Sequence, residues 1–254
     1  MLHNKLLNIL ILALVPGVAM AEDAAPASPH TFTSNVGFTT DYIFRGIAQT
    51  SHNPAIQGGI DYAHSSGFYA GLWGSNVSWI ADSGAVATGS VTMELDTYLG
   101  FKNSFAEDFN YDAGFVRYNY LGKYTPAAGF ARADTDEIYA AAGYKWLTAK
   151  YSYGLGQFLT VPGARGTNYV ELNASVPVAD TGITFGAHAG KQTFKPSTAS
   201  IYTYTDYKLA VTKDISGYLV GLAYTTTNAG PAWTYANGGN WGKDTTALSL
   251  THSF

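Results

Sequence analysis

The sequence predicts an all-β fold: a transmembrane up-and-down antiparallel β-barrel of about 12 strands. Apolar and polar side chains alternate along many short segments, as a strand with one apolar face requires. Charged residues make up only 13% of the chain and aromatic residues reach 15%. Soluble domains carry roughly 25% charged residues, so this chain has little charge with which to cover a water-facing surface. We therefore expect lipid to contact the apolar face.

The first 21 residues are typical of a secretory signal peptide. Lys5 precedes an apolar run from Leu6 to Val18, and Ala19-Met20-Ala21 is a small-x-small cleavage site. A membrane anchor is the alternative, but this run is shorter than the roughly 17 residues that a spanning helix needs. We therefore expect cleavage after Ala21 and export from the cytoplasm.

One barrel domain over residues 32–254 is expected to follow a flexible lead-in over residues 22–31. Its strand-like segments alternate and end at Gly, Asn, Asp, Ser or Pro, and long connections alternate with short ones. This pattern is typical of outer-membrane barrels, whose sheet must close because lipid cannot satisfy a strand edge. Ten or fourteen strands stay open, because one miscounted hairpin changes the number by two. The expected strands are 32–45, 55–64, 67–79, 90–101, 109–121, 136–146, 148–159, 167–178, 182–194, 203–213, 217–227 and 244–254.

Three segments near the start of the barrel resemble a known family. They are NVGFTTDYIFRGI at 35–47, PAIQGGIDY at 54–62 and GFYAGLWGSNV at 67–77. Together they are similar to the opening of the TorF family of proposed porins, also called Gcw_chp. The resemblance implies an outer-membrane β-barrel with a transport role in a Gram-negative bacterium. It supplies no assigned substrate and no catalytic residue.

The last strand indicates how such a barrel would reach its membrane. Leu248, Leu250 and Phe254 share one face, and Phe254 is the final residue given. A terminal aromatic on an alternating strand resembles the signal used by the barrel-insertion machinery of the outer membrane. His252 stands where a second aromatic is more usual. Outer-membrane lipid and that machinery, through Phe254, are therefore the expected partners.

Charged residues on the strands predict a polar lumen. A Lys or Arg that faces the bilayer midplane costs about 2–4 kcal/mol, so these side chains are expected to point inward. They either line an open channel or pair with one another and plug a narrow barrel. Arg117 fits an inward position together with Asp112 only if a bulge near Gly114 shifts the parity. The lumen-lining candidates are Asp41, Arg45, Asp61, Glu94, Asp96, Arg117, Glu137, Lys145, Lys150, Glu171, His188 and Lys208.

Aromatic residues near strand ends or on outward faces are expected at the membrane interface, because amphipathic rings suit headgroup depth. These candidates are Tyr42, Phe44, Trp73, Trp79, Tyr144, Trp146 and Phe254.

The function expected from these features is that of a porin-like channel for passive diffusion of small hydrophilic solutes. Any acidic excess in the lumen would give a weak preference for cations. The alternative is a closed barrel with a plugged lumen that serves as a surface binding or structural protein. No enzyme is expected, because the histidines lie at different predicted depths and no phosphate-binding loop or metal-ligand spacing is present. No cofactor or metal is expected, and the net charge of -4 argues against nucleic acid as a partner. The solute and the oligomeric state stay open.

Overall fold

Residues 28–236 and 238–254 are described by a computed structural model, in which twelve strands form one closed antiparallel barrel. The predicted fold class and strand count are confirmed. The predicted signal peptide, and the lead-in as far as Ala27, lie outside the described residues. Each barrel strand pairs with its neighbours along the chain, and the first pairs with the last through contacts such as Phe38 opposite Leu250. The sheet therefore has no free edge.

Sixteen strands lie within the described residues, and four short ones stand outside the barrel wall. The short pairs are β2 with β3 and β6 with β9. A short helix, α1 (Trp79–Asp82), and two 3₁₀ turns, Ser197–Tyr202 and Pro231–Trp233, occupy long connections. The strands are β1 (His30–Thr39), β2 (Ile43–Phe44), β3 (Ile47–Ala48), β4 (Ala55–His64), β5 (Phe68–Asn76), β6 (Val86–Gly89), β7 (Met93–Ala106), β8 (Phe109–Leu121), β9 (Tyr124–Pro126), β10 (Thr135–Tyr144), β11 (Leu147–Gly154), β12 (Asn168–Val178), β13 (Ile183–Thr193), β14 (Tyr204–Ile215), β15 (Tyr218–Thr227) and β16 (Thr245–Ser253).

The two ends of the barrel differ in their connections. Short turns join β4 to β5, β7 to β8, β10 to β11, β12 to β13 and β14 to β15 at one end. The turn at Ser216-Gly217 has φ values of 54° and 87°, the pair of left-handed conformations that a tight two-residue hairpin requires. All the longer connections lie at the opposite end, which we call the long-connection end. The helices and the β6–β9 pair lie there.

The outer surface of the barrel is apolar. On β12, Val170, Leu172 and Val176 are exposed, whereas Tyr169 and Asn173, on the opposite face of the strand, are buried. The same alternation recurs on β13 to β16, where exposed large apolar side chains include Phe185, Leu209, Leu222 and Leu250. A water-soluble barrel would bury this face, so the exterior suits hydrocarbon. In the part of the chain that the structure describes, no helix has the length and hydropathy to cross a membrane.

Two sequence expectations about strands are wrong. The first strand was expected to reach residue 45, but β1 ends at Thr39 and the chain then leaves the barrel wall. No bulge occurs near Gly114, because the pairing of β8 with β7 and β10 is continuous there. Arg117 therefore points outward, while Val116 and Tyr118 on either side of it point inward.

Inward tyrosines pack on inward glycines of the neighbouring strand. The Tyr98 ring lies over Gly71, and the Tyr69 hydroxyl lies over Gly100. A Cβ atom at either glycine would overlap the tyrosine, so the absence of a side chain leaves the space that the ring occupies. The rings are thereby held against the wall, and their hydroxyls point at charged groups in the lumen.

Candidate functional site

The first long connection folds into the barrel as a small hairpin made of β2 and β3. Phe44 pairs with Ile47, and Arg45 and Gly46 form the turn with φ values of 47° and 80°. A turn with two positive φ values favours glycine, which Gly46 supplies. Gly46 is also needed for space, because a Cβ atom there would lie 2.5 Å from both the Asp206 Cβ and the Thr227 Cγ2. We call residues 43–48 the lumen hairpin.

The lumen hairpin crosses the barrel. It begins between β1 and β4, which are adjacent in the wall, and its tip contacts strands on the far side of the ring. Gly46 lies against β14 and β15, and the Phe44 ring lies 5.6 Å from the ring of Tyr118 on β8. The hairpin therefore obstructs the lumen near the long-connection end.

Arg45 fastens the hairpin tip to the opposite wall. Its Nη1 and Nη2 donate to the two carboxylate oxygens of Glu137 at 3.0 and 2.8 Å, and Nη1 also donates to Gln192 Oε1 at 3.0 Å. The guanidinium lies 4.4 Å from the centre of the Tyr169 ring. Tyr118 donates its hydroxyl to Glu137 Oε2 at 3.1 Å. A bidentate, buried ion pair of this kind fixes both position and orientation of the arginine.

The base of the connection is fastened by a second charged contact. The Asp41 Oδ2 lies 2.6 Å from His52 Nδ1, and His52 Nε2 lies 3.0 Å from the backbone oxygen of Asn240. Both partners are hydrogen-bond acceptors, so the His52 ring bridges a carboxylate and a backbone carbonyl. Burial raises the pKa of Asp41, and the hydrogen bond from His52 opposes that shift. This contact ties the first long connection to the last.

A charged network lines the middle of the lumen beyond the hairpin. The Tyr169 hydroxyl donates to Asp206 Oδ1 at 2.8 Å, and His188 Nε2 lies 2.9 Å from Asp206 Oδ2. On its other side His188 Nδ1 lies 2.6 Å from Asn173 Oδ1, and Asn173 in turn donates to Glu171 at 2.9 Å. Pairing across the sheet sets Lys150 opposite Glu171 and Lys208 opposite His188. Tyr169, Asn173 and Asp206 are buried, whereas Lys150, Glu171, His188 and Lys208 keep a small exposed fraction, so the lumen here is polar.

A second group lies between that network and the short turns. The Tyr69 hydroxyl donates to Asp112 Oδ1 at 2.6 Å and also contacts the Tyr139 hydroxyl. The ammonium of Lys150 lies 4.2 Å from the Tyr139 ring centre, and that of Lys102 lies 5.2 Å from the Tyr69 ring centre. Acid, phenol and amine groups thus alternate around this part of the lumen.

The structure places ten of the predicted lumen residues inside the barrel and two outside it. Arg117 on the outer face pairs with Asp136 at 2.9 Å, so the inward prediction is wrong for it. Lys145 is also wrong, because it occupies the turn between β10 and β11 with a φ of 54° and lies 3.7 Å from Asp108. The residues inside are Asp41, Arg45, Asp61, Glu94, Asp96, Glu137, Lys150, Glu171, His188 and Lys208.

Four of the aromatic residues expected at the membrane interface lie inside the protein instead. Tyr42, Trp73 and Trp79 are buried, and Phe44 belongs to the lumen hairpin. Trp73 has the inward parity of β5, and Trp79 begins α1 after β5 has ended at Asn76. The other three, Tyr144, Trp146 and Phe254, are exposed near the short-turn end, and their interfacial role stays a prediction.

Several lumen residues were missed by sequence reasoning. Asp206 has the same parity as Lys208, which was selected, so alternation alone could have found it. For Asp112, the expected bulge near Gly114 leaves the side-chain direction, inward or outward, undecided. Gln192 was overlooked because an amide carries no charge signal, although it binds Arg45.

The buried ion pair of the hairpin predicts energetic coupling between its two residues. Arg45→Ala alone should destabilise the folded barrel by about 3–5 kcal/mol, because it leaves the Glu137 carboxylate buried without its partner. Arg45→Ala combined with Glu137→Ala should be less destabilising than the sum of the two, with a coupling of about 1–3 kcal/mol. Denaturant unfolding of the detergent-refolded chain gives both values.

The exterior pair of Arg117 on β8 and Asp136, which precedes Glu137 on β10, provides the matched control. Its side chains are 44% and 36% exposed, so the same cycle should give a coupling of only about 0.2–1 kcal/mol. Additive effects at Arg45 and Glu137 would contradict a fastened hairpin.

Comparison with known proteins agrees with the barrel. The family described as "Bacterial protein of unknown function (Gcw_chp)" matches residues 23–254. No curated protein sequence matches the chain. Among solved structures, the chain is similar to a KdgM porin in complex with disordered oligogalacturonate, at 7% identity and a TM-score of 0.51 over 88% of this chain and 98% of that one.

Two further solved structures share the barrel at lower scores. The Pseudomonas putida toluene transporter TodX has 11% identity and a TM-score of 0.48 over 91% of both chains. Salmonella typhi OmpF in complex with daunomycin has 9% identity and a TM-score of 0.44 over 89% of this chain and 97% of that one. The fold is that of the KdgM porin, and by the match over residues 23–254 the chain belongs to the Gcw_chp family.

Proposed function

We propose that this protein is a non-enzymatic outer-membrane channel that passes small hydrophilic solutes down their gradients, and that the lumen hairpin closes it. The observation that carries the proposal is the division of the barrel wall into an apolar exterior and a charged interior. A barrel that served only as a scaffold has no need of partly exposed Lys, Glu and His side chains along its lumen. Such groups suit the passage of water and polar solutes.

The width of the barrel is compatible with passage. Eight strands leave an interior that side chains just fill, and sixteen leave an aqueous channel, so twelve lie between these cases. In such a barrel one inserted element decides whether the lumen is open. The lumen hairpin is that element here, because its tip reaches from β1 and β4 to Glu137 on β10 and Gly46 meets β14.

Opening need not break any strand pairing of the barrel wall. The hairpin has only two paired positions, Ile43 with Ala48 and Phe44 with Ile47, and it is not part of the barrel sheet. Its tip is held by the bonds of Arg45 to Glu137 and Gln192. Its C-terminal strand is held by burial of Ile47 and by the bond from Ala48 N to the Trp241 oxygen. Withdrawal of Arg45 would release the tip while leaving every strand of the wall paired.

An acidic lumen supports the preference for cations. The inward carboxyl groups outnumber the inward Lys and Arg side chains, and a narrow low-dielectric passage strengthens the resulting field. The KdgM porin was solved with oligogalacturonate, a polyanion, and the lumen charge of the present chain disfavours such a solute. The inward acids are Asp41, Asp61, Glu94, Asp96, Asp112, Glu137, Glu171 and Asp206, and the inward bases are Arg45, Lys102, Lys150 and Lys208.

The second candidate function is a permanently plugged barrel that binds a ligand or partner at the cell surface. The packing at the long-connection end favours it. Trp79, Trp241 and Tyr235 are buried there, with ring centres 6.2 Å apart for the two tryptophans and 4.7 Å apart for Trp241 and Tyr235. This cluster would have to move, together with the lumen hairpin, for a wide passage to form.

Export and insertion belong to the same proposal. The signal peptide is cleaved after Ala21, and Phe254 at the end of the last strand engages the insertion machinery. Phe254 supports this by its position, because its ring is exposed beside His252 at the short-turn end, with the ring centres 4.7 Å apart. A mature protein that begins elsewhere than Glu22, or that is recovered from the soluble fraction, would contradict this part.

Conductance in planar bilayers tests the channel and its closure together. Arg45→Ala should give larger or more frequent open steps than the wild type, because the hairpin loses its hold on Glu137 and Gln192. Arg117→Ala, the same substitution on the outer face, is the matched control and should behave as the wild type. Absence of discrete steps from all three proteins, and from a variant with residues 43–48 replaced by a short Gly-Ser link, would favour the plugged barrel.

Reversal potentials of the Arg45→Ala channel test the charge preference. In a potassium chloride gradient the potential should have the sign of cation selectivity, and it should shrink at high salt because screening weakens the field of the lumen acids. Glu171→Gln and Asp61→Asn should each reduce it, whereas Asp136→Asn on the outer face should leave it unchanged. An anion-selective potential would contradict the proposal.

A further inference from the structure

Two carboxyl groups at the long-connection end of the lumen lack the partners that the other lumen acids have. Glu94 and Asp96 lie near the start of β7, two residues apart on its inward face, so their Cα atoms are roughly 7 Å apart. Each residue is only 1% exposed. Both oxygens of Asp96 and the Oε2 of Glu94 have no hydrogen-bond partner among the described residues. The Tyr120 hydroxyl donates to Glu94 Oε1 at 3.3 Å, and the Tyr42 hydroxyl also lies within hydrogen-bonding reach of Glu94, so Asp96 is the carboxylate without any hydrogen-bond partner.

Neither carboxylate has a positive side chain in contact. Within the described chain, the salt bridges involve other acids, and Arg45 is held by Glu137 in a bidentate pair. Glu137 is itself near enough to add its negative charge to the surroundings of Asp96. Ionised carboxylates buried without a cation are strongly unfavourable. Protonation alone does not resolve this, because a carboxylic acid still needs an acceptor for its own hydrogen.

The walls of this site are largely aromatic. Strand pairing sets Asp96 between Trp73 and Tyr118, and sets Glu94 between Ser75 and Tyr120. Tyr42, the residue before the lumen hairpin, packs on Trp73 with ring centres 5.4 Å apart and lies within hydrogen-bonding reach of Glu94. Burial first, and then the charges of Glu94 and Asp96, raises the pKa of the Tyr42 phenol well above its ordinary value. The phenol therefore stays neutral and offers an oxygen to the site.

We propose that Glu94 and Asp96 together bind a divalent, oxygen-preferring cation of the Ca²⁺ type. The two carboxylates, neither of which contacts a positive side chain, carry two negative charges when ionised, and one divalent ion neutralises them. The donors on these walls are oxygens, and hard cations such as Ca²⁺ prefer oxygen ligands. No group of three His, Cys, Asp or Glu suited to a metal occurs in the described residues, so water completes the coordination. Binding at this site requires the folded barrel and does not require that the barrel conduct.

The bound ion also explains the position of the hairpin base. Tyr42 lies over the carboxylates only while the first connection is folded inward, and an ion beneath it would remove the repulsion between Glu94, Asp96 and Glu137. Ion binding should therefore stabilise the inward position of the hairpin, and the inward hairpin should raise the affinity for the ion by the same factor, because such coupling is reciprocal.

Terbium luminescence tests this site. Tb³⁺ replaces Ca²⁺ at oxygen sites, and excitation through nearby tyrosine and tryptophan rings makes the bound ion luminesce. The full mature chain, refolded in detergent with Tb³⁺ present, should give saturable luminescence that Ca²⁺ displaces. Asp96→Asn and Glu94→Gln should each raise the half-saturating concentration by at least about tenfold. Asp112→Asn, an inward acid already bonded to Tyr69, should leave it unchanged.

Thermal unfolding supplies a second readout that also shows whether the variants fold. Ca²⁺ should raise the unfolding temperature of the wild type and of Asp112→Asn, but not that of Asp96→Asn or Glu94→Gln. Without Ca²⁺ the two site variants should be at least as stable as the wild type, because the buried charge has been removed. Three results would overturn the proposal. They are stabilisation by Na⁺ alone, luminescence of unchanged affinity in the two site variants, and a loss of Tb³⁺ affinity in Asp112→Asn as large as that in the site variants. None of these outcomes depends on whether the barrel conducts.

Discussion

A sheet surrounded by lipid must have every backbone hydrogen bond satisfied within the protein, and this constraint governs the rest of the structure. Closure of β1 on β16 meets it. Once the sheet is closed, the two faces of each strand have different surroundings, and the period-two alternation of side chains divides apolar from polar residues. The apolar exterior and the charged lumen are therefore two results of one requirement, and both can be seen within β12.

The lumen encloses more acidic than basic side chains, so its carboxylates need partners inside the barrel. Neighbouring side chains supply many of these partners. Tyrosine hydroxyls donate to Asp112 and Asp206, histidine bridges Asp206 and Asn173, and Arg45 satisfies Glu137. The arginine that does this is carried by a connection rather than by the wall, so neutralising one acid also places a hairpin across the barrel. Closure of the lumen and charge balance are in this way the work of the same residue. At Glu94 and Asp96 the protein alone does not complete the balance, which is why an external cation is inferred there.

The sequence sufficed for the fold class, the strand count and the order of long and short connections, because each of these depends on local alternation and turn residues. Prediction from the sequence failed for a segment that keeps the alternation of a strand but does not belong to the barrel sheet. Phe44 and Arg45 continue the pattern of β1, and only the turn geometry of Arg45-Gly46, combined with contacts to residues distant in the sequence such as Glu137, separates them from that strand. Arg117 was misplaced because a charge was assumed to point inward, whereas near a strand end an outward arginine can pair with Asp136. Tertiary contacts of this kind have no signal in a single sequence.

Single-cysteine labelling along β12 tests the central claim most directly, because the chain has no native cysteine. Cysteines at 169 to 174 would be introduced one at a time, coupled to an environment-sensitive fluorophore, and examined in vesicles that contain brominated lipid. If the even-numbered side chains face lipid, quenching should be strong at positions 170, 172 and 174. At positions 169, 171 and 173, which face the lumen, quenching should be weak and the emission water-like. Uniform quenching along the strand, or strong quenching at the odd positions, would contradict this arrangement.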